Sequence, residues 1–152
     1  MTVEITSLII SIAAFIVSIV SIIITFYQNK DITSLNLQAR YFEKIFDKYL
    51  IKEIPRARNY IKYINNRLID ADKLIDVLDS VKFDSLYFKY NNNVFYTKLT
   101  NAIDNLTDFL SNCSNKNEPD QDKQSDNIKE IGNKITIIYQ IINTYSTGLS
   151  SH

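Results

Sequence analysis

The sequence predicts an all-α protein, with one N-terminal transmembrane helix followed by a cytoplasmic helical bundle of about four helices. Three observations lead there. Residues 5–28 carry no charge and are mostly Ile, Val, Leu and Phe. The chain has only two Gly and two Pro in 152 residues, which suits helices better than a turn-rich β fold. Apolar residues then recur at steps of three and four along most of the remainder.

The first segment, residues 1–28, is read as a membrane anchor. At about 1.5 Å per residue, positions 5–28 would extend roughly 36 Å, enough for a hydrocarbon core of about 30 Å with some tilt. Fourteen of residues 5–27 are Ile, Leu, Val or Phe. At about −0.3 to −0.6 kcal/mol each, they favour insertion by roughly 4–8 kcal/mol before the hydroxyl groups are counted against it. A buried helix of a soluble protein rarely runs this far without a charge. A cleaved signal peptide would need a basic start, a shorter apolar core and a small-x-small exit. Met1–Glu4 has no Lys or Arg, and Thr25-Phe26-Tyr27 is a poor cleavage site. No basic residue precedes the helix, whereas Lys30, Arg40, Lys44 and Lys48 follow it. The expected placement is therefore a bacterial inner membrane, single-pass, with the N-terminus outside and the C-terminal domain cytoplasmic.

The same segment carries a second pattern. Small or hydroxyl side chains stand at Ser7, Ser11, Ala14, Ser18, Ser21 and Thr25, and Glu4 and Gln28 extend the rhythm at either end. Lipid tails give helices no hydrophobic reason to associate; small residues let backbones approach, and hydroxyls can bond across the contact. A period of 3.5 residues keeps such a stripe facing inward in a left-handed supercoil. The expectation is a homo-oligomer. Two or three helices would make the stripe a dry seam. More would turn it into hydroxyl rings around a wet axis, with a Glu4 ring favouring cations. A hydroxyl bonded to its own helix needs neither.

Residues 29–148 are expected to form the bundle. Ser34 is a candidate cap for a helix carrying Leu35, Phe42, Ile45, Phe46, Tyr49 and Leu50. Pro55 should end or kink it near Ile54. A second helix is expected from Pro55 to about Ile69, with Ala57, Ile61, Ile64 and Leu68 on one face. Asp70 or Asp72 would cap a third, carrying Leu74, Ile75, Leu78 and Val81. Phe83–Tyr90 is read as helix, with a break at Asn91-Asn92-Asn93. Phe95, Leu99, Ile103, Leu106 and Leu110 then mark a long amphipathic helix ending near Asn112. Residues 114–124 are polar and contain Pro119, and read as a flexible loop. The last helix shows an apolar seam at Ile128, Ile131, Ile135, Ile138, Ile142 and Tyr145, with Gly148 as its stop.

Chemistry is sparse. The only histidine is the terminal His152, and Cys113 is the only cysteine, so zinc sites and Cys/His nucleophile pairs are not expected. No Gly-rich phosphate loop is present. The reading is of a non-enzyme without metal or cofactor. Lys52, Arg56, Arg58, Lys62 and Arg67 cluster within sixteen residues, with Tyr60 and Tyr63 between them. They are a candidate patch for an anionic ligand (nucleotide, RNA or lipid headgroup) or for a partner protein. The bland alternative is a solvated face complementing Asp70, Asp72, Asp76 and Asp79.

Arg58-Asn59-Tyr60-Ile61-Lys62-Tyr63 is similar to the Arg-Asn-x-x-x-His signature of helical nucleases of the HEPN type. Tyr63 stands where the family has histidine, and tyrosine cannot serve as a near-neutral acid or base. The resemblance therefore implies an inactive bundle used for assembly. In layout the chain resembles the small single-pass membrane effectors of bacterial antiphage defence, among them the accessory pore-forming protein of type VI-B CRISPR systems. That resemblance implies an oligomer that permeabilises or depolarises the inner membrane. The alternative is a non-catalytic membrane tether or scaffold that recruits a cytoplasmic partner.

Overall fold

The computed structural model describes the backbone of residues 2–149 and the side chains of residues 14–30, 32–33 and 36–145. The chain is mostly helical, as expected, and divides into two compact units, Met1–Gln38 and Ala39–His152. Helix α1 is Thr2–Ile45. It passes into a π-helical segment, π1, at Phe46–Glu53, followed by α2 at Ile54–Tyr60. A two-stranded antiparallel hairpin follows, β1 Lys62–Ile64 and β2 Arg67–Ile69. The remaining elements are α3 Ala71–Asp84, α4 Leu86–Asn91, α5 Asn93–Ser114 and α6 Gln121–Leu149.

In the first unit, every described side chain from Ala14 to Lys30 is exposed, ten large apolar ones among them from Phe15 to Tyr27. Among the described residues, no helix is long and apolar enough to cross a membrane. The first part of the expected span, with Glu4, Ser7 and Ser11, lies outside the described side chains. No new helix starts at Ser34: α1 runs through it, and through Asn29-Lys30-Asp31.

The second unit holds the core, with α5 at its centre. It packs against α6, α3, α4 and strand β2. Phe95, Leu99, Ile103, Leu106 and Leu110 are all fully buried on one stripe of α5, facing Ile131, Ile138 and Ile142 of α6 within the same core. Both helices follow the periodicity read from sequence. Asn92 caps α5 by accepting the Phe95 N–H at 3.2 Å. Asp120 caps α6 by accepting the N–H groups of Asp122 and Lys123. The helix extends one residue past Gly148. The loop between α5 and α6 is shorter than residues 114–124, because the helices claim both ends of that range.

Two expectations are corrected. The helix expected from Pro55 to Ile69 stops at Tyr60. Asn65 and Asn66 both take φ > 0, at 50° and 64°. A two-residue hairpin turn of the I′ kind requires this at both positions, and asparagine tolerates it. Tyr63 pairs with Leu68 across the hairpin and turns inward, leaving Lys62, Ile64 and Arg67 outside. Ala57, Ile61 and Leu68 are buried as expected, but Ile64 is not, since strand alternation replaces helical spacing there. Asp70 stands at the start of α3 in the left-handed region, and makes no cap bond; its carboxylate pairs with Lys73 at 2.9 Å.

At Pro55, where an end or a kink near Ile54 is expected, the winding changes and the chain stays helical. The preceding turn widens: the Ile54 N–H reaches the Tyr49 carbonyl, five residues back. The Leu50 carbonyl is thereby orphaned. Its α-helical donor, Ile54, is engaged elsewhere, and its donor in the wider register would be Pro55, which has no N–H. The Tyr139 hydroxyl of α6 donates to that carbonyl. A buried acceptor is satisfied, and the widened turn is tied to the last helix.

Candidate functional site

The hydroxyl stripe can be followed from Ala14 onward. Ala14, Ser18, Ser21, Thr25 and Gln28 are all exposed on α1. Ser18 Oγ donates to the Ala14 carbonyl at 2.9 Å, and Thr25 Oγ1 to the Ser21 carbonyl at 2.8 Å. Both hydroxyls are thus satisfied within their own helix. What the stripe offers a neighbour at these two positions is small size.

The basic patch does not lie on one helix. Lys52 falls on π1, Arg56 and Arg58 on α2, and Lys62 and Arg67 on the outer face of the hairpin. The hexapeptide Arg58–Tyr63 accordingly crosses from helix through an extended Ile61 into a strand. Among the described residues, none of these five cations makes an ion pair, so the expected complementation by Asp70, Asp72, Asp76 and Asp79 is not formed.

Two of the five gain companions that the sequence reading passed over. Lys44, Lys48, Lys52 and Arg56 are spaced by four residues, and all line one open groove of about 490 Å³, together with Asp47 and Glu53. Residues four apart share one face of a helix, which sets the four cations in a row. The groove rests on a polar cluster. Buried Tyr49 donates its hydroxyl to Asp84 Oδ2 at 2.7 Å, and Lys48 Nζ donates to the same phenol oxygen at 2.7 Å. Lys44 and Lys48 lie 3.2 and 3.6 Å from Asp84 Oδ2. Among the described residues, Lys52 and Arg56 are the cations of the groove that make no ion pair.

Partial burial works to raise the Asp84 carboxyl. The hydrogen bonds from Tyr49 and Lys44, with the charges of Lys44 and Lys48, outweigh it and hold the group below its ordinary value of 3.8. A depressed carboxylate contributes stability above its unfolded pKa and loses it as pH falls through the folded one. Wild-type protein should therefore lose part of its stability as pH falls below about 4. Asp84→Asn should show a shallower loss over that window, read as urea midpoints at successive pH values. Equal acid slopes in the two proteins would remove Asp84 from the account.

A second, more enclosed cavity of about 350 Å³ opens between the hairpin, the end of α5, the α5–α6 connection and α6. It is lined by Tyr63, Phe109, Asn112, Cys113, Lys116, Glu118 and Asn127. Tyr63 turns inward from the hairpin and accepts a hydrogen bond from Asn127 Nδ2 at 2.8 Å. Burial pushes the Cys113 thiol up against the opposing pull of Lys116. The connection is held in place: the Glu118 N–H bonds the Asn66 carbonyl at 2.8 Å, and Gln124 Nε2 the Glu118 carbonyl at 2.6 Å. One hint of this cavity is local: Tyr63 occupies the inward position of a strand once 62–69 is a hairpin.

Comparison of the chain with protein-family models, curated proteins and solved structures finds no match.

Proposed function

We propose that the chain is a membrane-anchored homo-oligomeric effector that permeabilises or depolarises the bacterial inner membrane in antiphage defence, with residues 39–152 on the cytoplasmic side. The observation that carries this reading is the uncharged stretch of α1. Its described side chains present apolar surface on every side and bury none of it, so the segment needs a cover of lipid or of its own copies. The small-residue stripe supports association of copies, and the layout resembles that of small defence effectors.

Expression of the chain in a bacterial host should collapse the membrane potential, read with a potential-sensitive dye. Ser11→Leu combined with Ser18→Leu should reduce that effect by about tenfold by filling the stripe. An unchanged potential, with the protein confirmed in the membrane, would count against the reading. The alternative, a non-catalytic tether or scaffold, is favoured by Lys52 and Arg56 in the open groove, which make no ion pair among the described residues. A foreign anchor replacing residues 1–28 should preserve function only in that case.

A further inference from the structure

We propose that the cavity between the hairpin and the α5–α6 connection binds a small planar heterocycle bearing an anionic group, a ligand of the nucleoside monophosphate class. The inference rests on the cavity alone, which lies wholly within the second unit, and is independent of the membrane reading.

At about 350 Å³ the cavity falls in the size range of small-molecule sites, and its lining is mixed, two aromatic rings and a thiol beside four polar or charged side chains. Tyr63 and Phe109 supply aromatic surface, on which a flat ring can lie. Asn112 and Asn127 supply amides, which match the mixed donor and acceptor edge of a nucleobase. The Asn127 Nδ2 is engaged by Tyr63, which fixes the amide and leaves its oxygen to accept. Among the described residues, the Asn112 side chain makes no hydrogen bond and Lys116 no ion pair, so both are free for a ligand. Lys116 is the one cation of the lining and the natural contact for a phosphate. The Glu118 carboxylate can accept from an exocyclic amine. The wall formed by the connection is preformed, because its backbone is already bonded to the hairpin turn.

The chain provides its own reporter. Cys113 is its only cysteine and lies in the cavity wall at 8% exposure. The rate at which a small maleimide alkylates Cys113 in the purified full chain is measured with each of the four common ribonucleoside monophosphates. Ribose 5-phosphate and inorganic phosphate serve as further arms. At least one nucleotide should slow alkylation saturably by about tenfold or more, while the sugar phosphate and phosphate leave it unchanged. Calorimetry, which does not read the thiol, should show the same nucleotide binding, weakened at least about fivefold by Asn112→Ala and by Lys116→Ala. The proposal is overturned if no nucleotide protects or gives heat, if phosphate or ribose 5-phosphate protects equally, or if both variants bind like the wild type.

Discussion

Replacing Phe88 with alanine is expected to lower the unfolding free energy of the bundle by about 3–5 kcal/mol, the usual cost of deleting a fully buried aromatic. Phe88 has no exposed surface and sits at the hub of an aromatic cluster. Its ring lies 4.6 Å from that of Phe42, 5.0 Å from Phe95 and 5.3 Å from Tyr87. These neighbours come from α1, α5 and α4 itself, so the cavity left behind would open where three helices meet and could not collapse without moving one of them. Tyr87, one residue away, stacks on Tyr41 at 4.3 Å and nearly parallel. That contact should loosen too, giving a loss of near-ultraviolet dichroism alongside the lower urea midpoint. Phe83→Ala is the matched control. The same residue type five positions earlier is 70% exposed, and its removal should change stability by less than about 0.5 kcal/mol. A Phe88→Ala variant no less stable than Phe83→Ala would mean that α4 does not dock as described.

Tyr139→Phe should cost about 1–3 kcal/mol, although it removes a single oxygen. The loss comes from the Leu50 carbonyl, which the widened turn and Pro55 together deprive of a main-chain donor. The mechanism can be separated from simple loss of a hydroxyl. In a Pro55→Ala background, residue 55 regains an N–H, and Leu50 gains a donor within its own helix. Tyr139→Phe should then cost less than about 0.5 kcal/mol. Equal costs in the two backgrounds would show that the phenol acts in some other way. Denaturant slopes should be unchanged throughout, since the surface exposed on unfolding is the same.

Much of the second unit was legible because its helices obey one rule. On α5 the series from Phe95 to Leu110 steps by three and four and is buried without exception, whereas on α6 Ile131, Ile138 and Ile142 are buried and Ile128, Ile135 and Tyr145 are half-buried. The stretch from Pro55 to Ile69 misled because Ile61 and Leu68 are seven apart, a spacing that fits a helical face. In fact Leu68 turns inward beside Tyr63 by strand alternation. The decisive signal was the Asn65-Asn66 pair, which suits a tight hairpin turn and is poor in a helix interior. The widened turn at Phe46–Glu53 left a trace only in Pro55, since proline announces a disturbed ladder without saying how the chain absorbs it. For the same reason the charged residues were grouped along a helix that ends early. Lys44 and Lys48 join Lys52 and Arg56 at a spacing of four that continues through Pro55, where an end or kink of the helix was expected. The cavity walls come from four separate elements, and no local pattern brings such residues together.

The bond between Tyr139 and the Leu50 carbonyl joins residues 89 positions apart. During synthesis the ribosome releases residues 46–55 long before it releases Tyr139. Until the final helix emerges and docks, that carbonyl can be served only by the Ile54 N–H of ordinary winding or by water. The choice between ordinary and widened winding is therefore made last. The widened winding beneath the charged groove is thus secured by the last helix of the bundle.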